Sequence, residues 1–218
     1  MNPIEGLTMN GEFLFFVFFL VILFAGMIAR GIFGRRSADY KKSLRELTKQ
    51  LFEHETPLSV GLLMLGGIFL MIGVIIYAFY TPLFPWSQLL LPGLVRWVGV
   101  GIGLVTIPMI AWVHWVLGRA LSKSLTIQDK HQLVTTGPYR WIRHPIYTVF
   151  IFYFLSLFLI STNLFLLIAW IIMVITFIIR IPREEQMLLN QFGDAYREYM
   201  ETTGRLFPRL RKPKDTRK

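Results

Sequence analysis

The stretch PIYTVFIFYFLSLFLISTNLFLLIAWIIMVITFII, residues 145–179, runs for 35 residues without an Asp, Glu, Lys or Arg. As one helix it would reach about 50 Å at 1.5 Å per residue, well past the hydrocarbon thickness of a bilayer. The run therefore has to fold back on itself. Ser161, Thr162 and Asn163 are its polar cluster, and a turn there leaves two antiparallel spans, Pro145 to Ile160 and Leu164 to Ile179.

Working outward, no charged residue occurs from Thr56 to Val95 or from Trp97 to Gly118. The composition, 54% hydrophobic and 15% aromatic over 218 residues, is that of a membrane protein. Dividing the apolar runs by length and turn residues adds spans at roughly Phe13 to Ala29, Leu58 to Tyr80 and Trp97 to Leu117. The first follows no basic leader and shows no small-residue cleavage site, so it reads as a retained span. The expected fold class is all-α: a polytopic membrane protein with five transmembrane helices, the last two a helical hairpin, plus short cytoplasmic helices. It forms a single domain, 1–218. Residues 1–118 carry three spans and an insert at 30–56, residues 119–204 a candidate functional region, and residues 205–218 a basic tail.

The net charge of +10 could suggest nucleic acid, but the placement of the charge argues for membrane topology. Seven basic residues lie between Arg30 and Lys49, five between Arg119 and Arg143, and ten between Arg180 and Lys218. Arg96 is the remaining one, expected to snorkel to the outer interface. With five spans, the positive-inside rule puts the N-terminus outside and the C-terminus in the cytoplasm. Membrane lipids, not nucleic acids, are the partners this distribution suits.

Several chemistries drop out. There is no cysteine, hence no disulfide, thiolate nucleophile or cysteine metal site. The four histidines, at 54, 114, 131 and 144, lack the spacing of metal ligands, and no serine elbow is present. The glycines of GVGIG, 99–103, lie inside an apolar span, where small residues permit close helix contact, and do not form a phosphate loop.

Of the polar segments, RRSADYKKSLRELTKQLFEHE (35–55) reads as a cytoplasmic helix with Leu44, Leu47 and Leu51 on one side. TPLFPWSQLLLPG (81–93) reads as an irregular loop. TTGPYRWIRHPIYT (135–148), at the door of the hairpin, is different. Its simplest reading has His144 capping the fourth span, Pro145 at the first helical position, and Arg140 and Arg143 anchored at headgroups. That leaves Tyr139 and Tyr147 unexplained. The hairpin also returns Arg180-Ile181-Pro182-Arg183-Glu184-Glu185 to the same edge. Pro182 suits the start of a short helix that Gly193 stops, with Asp194 capping the next. If instead the span continues through a kink at Pro182, Arg180 and Glu184 share a face beside His144. Ionisable groups at membrane depth are costly and mark function more often than decoration. Tyrosines, a histidine, carboxylates and an arginine suit group transfer between a charged cosubstrate and a lipid.

The string HQLVTTGPYRWIRHPIYT (131–148), followed by REEQMLLNQFGDAYREY (183–199), resembles the signature of the isoprenylcysteine carboxyl methyltransferase and phospholipid methyltransferase family. The resemblance covers roughly Trp115 to Tyr199. It implies an integral-membrane methyltransferase using S-adenosyl-L-methionine in a cytoplasmic cavity, with a lipophilic substrate entering from the bilayer. By position, His131, Gln132, Leu133 and Val134 would line the cofactor, while Tyr139, His144, Pro145, Ile146 and Tyr147 would hold its adenosine and methionine portions. Glu184 would meet its cationic end with Glu185 in support, and Arg180 would address an acceptor carboxylate. His144 or Glu184 would serve as base toward an amine or thiol acceptor. Two other readings stand beside this: an NADPH-dependent membrane reductase of the related sterol reductase fold, and a non-catalytic membrane scaffold. Nothing in the sequence indicates an oligomeric state.

Overall fold

The computed structural model describes residues 3–34, 56–80, 83–124 and 133–209. The helix expected at 35–55 and the end of the basic tail lie outside the described residues. Those described form α1 (Pro3–Gly34), α2 (Pro57–Ile75), α3 (Gly93–Ser124), α4 (Pro145–Ser161), α5 (Leu164–Phe192) and α6 (Asp194–Thr202). A π-helical turn, Ile76–Tyr80, continues α2, and short 3-10 turns occupy Pro85–Ser87 and Gly137–Arg140. Among the described residues there is no strand, only two isolated bridges.

Among the described residues, four helices are long and apolar enough to cross a membrane: Gly11–Phe33, Pro57–Phe79, Gly93–Leu117 and Leu164–Phe192. The fifth apolar helix, Pro145–Ser161, has 17 residues. The chain is an integral membrane protein. Large apolar side chains such as Phe24, Ile68 and Val105 stay exposed around the bundle, where lipid tails take the place of water.

α4 sits centrally, packed on α1, α3 and α5, while α2 lies along α5. Small residues set these approaches. A Cβ on Gly99 would come within 2.7 Å of Leu159, one on Gly103 within 2.5 Å of Ile22, and one on Gly73 within 2.8 Å of Leu166. The glycines at 99 and 103 thus serve helix contact, as their position in a span implied.

The hairpin turn falls at 161–163 as expected, but it is interred instead of solvated. Ser161 and Asn163 are fully buried and Thr162 takes a left-handed φ of 52°. Asn163 accepts from the Phe165 amide at 3.0 Å, starting α5 as its N-cap, and donates to the Ser87 hydroxyl at 3.3 Å. The Leu89 amide bonds the Thr162 carbonyl at 2.8 Å. The loop expected to be merely irregular therefore roofs the turn and satisfies its polar groups.

Arg96 does not snorkel. It is 7% exposed, its Nε donates to the Ile160 carbonyl at 2.9 Å, and its guanidinium lies 4.0 Å over the Phe15 ring and bonds Glu12. A carbonyl at the end of α4 needs a donor, and an inward-pointing arginine supplies it.

Candidate functional site at the 144/184 end of the bundle

Two local departures from expectation build the site. α5 does not stop for Pro182. It runs unbroken from Leu164 to Phe192, about 43 Å at helical rise, with Pro182 inside it. An apolar stretch ending at Ile179 is thereby continued by a polar helix end, and Arg180, Glu184 and Leu188 fall in one row. Gly193, with φ 56°, ends α5 and forms the N-cap of α6. Asp194 is the first residue of α6 and pairs with Arg197 at 2.8 Å, so it does not cap.

His144 occupies the N-cap position of α4 with Pro145 next, but its side chain makes no capping bond. The imidazole turns instead toward the two carboxylates of α5. Nδ1 is 3.5 Å from Glu184 Oε2 and Nε2 is 3.6 Å from Glu185 Oε1, with His144 itself 7% exposed. The Tyr147 hydroxyl donates to Glu184 Oε1, and Arg180 reaches the same oxygen at 3.7 Å. The His144, Tyr147 and Phe177 rings stack in parallel, with centroids 5.6 and 4.5 Å apart.

The adjacent acidic residues have different duties. Glu184 faces a cavity of 290 Å³ together with Tyr139, Arg143, His144, Pro145, Ile146, Tyr147 and Leu188. Glu185, 2% exposed, points away into a clamp: Arg143 Nε donates to Oε1 at 2.8 Å, and Arg205 Nε and Nη2 donate to Oε2 at 3.0 and 2.9 Å. Arg143 is therefore no headgroup anchor. Its guanidinium also donates to the carbonyls of Thr203 and, at 3.2 Å, Met200.

Residues after α6 complete the wall. The Arg143 amide donates to the Gly204 carbonyl at 2.8 Å, the His144 amide to Arg205 at 3.0 Å, and the Gly204 amide to Trp141 at 3.2 Å. The Thr148 hydroxyl reaches the Leu206 carbonyl at 2.7 Å. From α6, the Tyr199 hydroxyl donates to the Tyr139 carbonyl at 2.6 Å. Burial raises the Tyr139 and Tyr199 phenols well above their ordinary range and pushes Tyr196 up to about 12. Tyr199 acts through its hydrogen bond to the Tyr139 carbonyl, whereas the buried Tyr196 hydroxyl has no hydrogen-bond partner among the described residues and acts through packing.

The structure thus brings Tyr139, His144, Pro145, Ile146, Tyr147 and Glu184 around one cavity. Glu185 supports that wall from behind. Arg180 reaches Glu184 but does not line the cavity. Val134 packs on the hydrophobic core and does not line the cavity, Leu133 is half-buried, and His131 and Gln132 lie outside the described residues. Arg205, Thr203 and the clamp role of Arg143 escaped sequence reading. The available signal was the doubled carboxylate at 184–185: adjacent residues on a helix point about 100° apart, so both cannot face the cavity and the inner one demands a partner.

Chemically, a carboxylate beside parallel aromatic rings suits a compact organic cation. The buried Nε2 of His144 has no hydrogen-bond partner among the described residues and lies 3.6 Å from Glu185 Oε1, on the clamp side of the wall. The cavity volume is near the lower end of small-ligand sites, about 300–1,000 Å³. The donor set fits a sulfonium cofactor such as S-adenosylmethionine. Among the described residues, no cluster could hold a metal ion.

Fold and site together define a polytopic helical membrane protein with an aromatic-walled cavity, lined by one carboxylate and one guanidinium, at the open end of its last hairpin. Residues 99–190, which contain the first site motif and the start of the second, match the model of the isoprenylcysteine carboxyl methyltransferase family. A probable protein-S-isoprenylcysteine O-methyltransferase of Oryza sativa subsp. indica is 35% identical over 91 residues, covering 38% of this chain and 46% of that protein. A protein-S-isoprenylcysteine O-methyltransferase of Tribolium castaneum is 28% identical over 140 residues, covering 51% of this chain and 48% of that protein. The matched regions span about half the length of these curated relatives.

Proposed function

We propose that the chain transfers a methyl group from S-adenosylmethionine to a lipophilic acceptor, with the carboxylate of a prenylated cysteine as the leading acceptor. The observation that carries this reading is the meeting of Glu184, His144 and Tyr147 around one cavity from motifs remote in sequence. The names of the relatives support the acceptor class. When bound, the cofactor supplies an electrophilic methyl group on a sulfonium, so no covalent enzyme intermediate is needed.

The chain's own task is binding, alignment and exclusion of water. Glu184 opposes the positive charge of the cofactor while the Tyr147 hydroxyl and Arg180 fix its carboxylate in place. His144, held by its backbone bond to Arg205, lines the cavity with its ring stacked on Tyr147. Arg180 has a second service: its guanidinium orients the acceptor carboxylate, which has no proton to lose and so requires no base. The placement of basic residues supports five spans, an external N-terminus and a site facing the cytoplasm. An acceptor could then enter sideways from the bilayer while the cofactor arrives from water.

The test incubates purified full-length chain with methyl-labelled S-adenosylmethionine and either an S-farnesylcysteine or a fractionated lipid extract, followed by mass analysis. A base-labile methyl ester is the expected product. Arg180→Ala should raise the acceptor KM by roughly 10-fold or more, the loss of one charge-assisted hydrogen bond, and weaken cofactor affinity less than that, since Tyr147 still holds the Glu184 carboxylate. Absence of labelled product together with tighter binding of NADPH than of S-adenosylmethionine would reject the reading in favour of a reductase.

A further inference from the structure

A second cavity, 700 Å³, opens behind the Glu185 clamp, and four of its lining residues are arginines: Arg143, Arg197, Arg205 and Arg209. The carboxylates that answer them are Glu185, shared by Arg143 and Arg205, then Asp194 on Arg197, and Glu201 in the lining itself. Four cations against three anions leave one positive charge. Glu185 answers two arginines, and Arg209 bonds the backbone carbonyl of Glu201, not its carboxylate, among the described residues. The Arg197 and Arg205 side chains are 71% and 56% exposed, so their ion pairs are weakly held and their remaining N–H groups face the opening.

A third cavity, 410 Å³, adjoins it and is different in kind. Ile178, Ile181, Leu206 and Phe207 line it, and its one charged residue is Arg205, which the two cavities share. Ile178 and Phe207 are 54% and 63% exposed there. Ile178 belongs to the apolar part of α5, so this groove lies at membrane depth, while the arginines gather around α6 and the residues after it. An apolar groove running into an arginine-lined cavity is complementary to an anionic amphiphile.

We propose that these two cavities form a binding site for an anionic phospholipid, with its phosphate among Arg197, Arg205 and Arg209 and one acyl chain along Ile178 and Phe207. The site is separate from the catalytic cavity and does not depend on methyl transfer. It touches that cavity through Arg143, which lines both, and through Arg205, which helps hold Glu185. Bound lipid therefore also braces the wall on which His144 rests.

The test measures binding of dioctanoyl phosphatidylglycerol and dioctanoyl phosphatidylcholine to the delipidated full-length chain in detergent by native mass spectrometry, with inorganic phosphate as a separate arm. The expected preference for phosphatidylglycerol is about fivefold or more, the scale of one basic residue near an anionic surface. Arg197→Gln with Arg209→Gln should reduce it to below twofold, and Arg197→Lys with Arg209→Lys should restore most of it. Equal affinity of the wild type for both lipids would overturn the proposal. So would inorganic phosphate binding as tightly as phosphatidylglycerol, which would make this a free-anion site. A glutamine variant that keeps the full preference would overturn it as well. Should that variant fail to unfold cooperatively, the wild-type and lysine comparisons alone decide the matter.

Discussion

Replacing Glu185 with alanine tests the clamp that holds the site. Glu185 is 2% exposed and the Arg143 side chain 5%, so the substitution strands a guanidinium in a buried setting. Breaking one partner of a buried pair costs about 3–5 kcal/mol. Arg143 keeps its bonds to the Thr203 and Met200 carbonyls, which favours the lower end. Arg205 is 56% exposed, so its share is screened and adds about 0–1 kcal/mol. A loss of about 3 kcal/mol corresponds to a fall in Tm of roughly 6–12 °C for a chain of this size. Thermal unfolding of the purified chain in one detergent, followed by circular dichroism, measures it against Glu201→Ala, an exposed control expected to shift by about 1 °C. Arg143→Met combined with Glu185→Leu should recover at least half of the loss, because an apolar pair carries no desolvation cost. If Glu185→Ala moves Tm no more than the control does, the clamp reasoning is wrong.

Glu184→Ala and His144→Ala should each weaken S-adenosylmethionine binding about 10-fold or more by calorimetry while shifting Tm far less than Glu185→Ala, since only the inner carboxylate is fully buried; wild-type affinity in both would remove them from the cofactor site. Gly204→Ala should prevent residues 204–206 from docking on Trp141, Arg143, His144 and Thr148, because its Cβ would stand 1.7 Å from the Phe207 carbonyl oxygen; faster proteolysis after α6 reads this out, and unchanged cleavage would count against it. Arg96→Ala should cost about 1–3 kcal/mol by leaving the Ile160 carbonyl buried and unpaired, an effect that Glu12→Ala, with its carboxylate 66% exposed, should not match. Burial raises the Tyr196 phenol from 10.0 to about 12, so the folded chain keeps a proton that the unfolded chain releases, and stability is lost as pH rises through that window. Tyr196→Phe should make that decline shallower in denaturation curves taken from pH 9 to about 12; identical slopes would show that the phenol does not contribute.

Long uncharged runs make the apolar helices legible without any structure, because a bilayer sets a length that few sequences meet by accident. The hairpin turn was legible too, since Ser161-Thr162-Asn163 interrupts a run too long to span once. The same logic brought His144 and Tyr147 to the level of Glu184, for antiparallel helices of similar length return their ends to one edge. Boundaries were less accessible. α3 begins at Gly93 and α5 continues to Phe192 because a helix stops where its backbone groups find other partners, not where its apolar residues end.

What sequence by itself determined is the long apolar helices, the pairing of the last two through their turn, and the residue types gathered at the site. Which of two neighbouring glutamates faces the ligand, and which is locked behind it, belongs to tertiary structure. That choice depends on Arg143 and on Arg205, twenty residues beyond Glu185, arriving on one side of α5. The inward turn of Arg96 has the same origin. A lone cation in an apolar chain looks like an interface anchor until a helix end elsewhere offers a carbonyl that needs a donor. Local chemistry states what each group can bond, and only the packed chain decides which partner comes within reach.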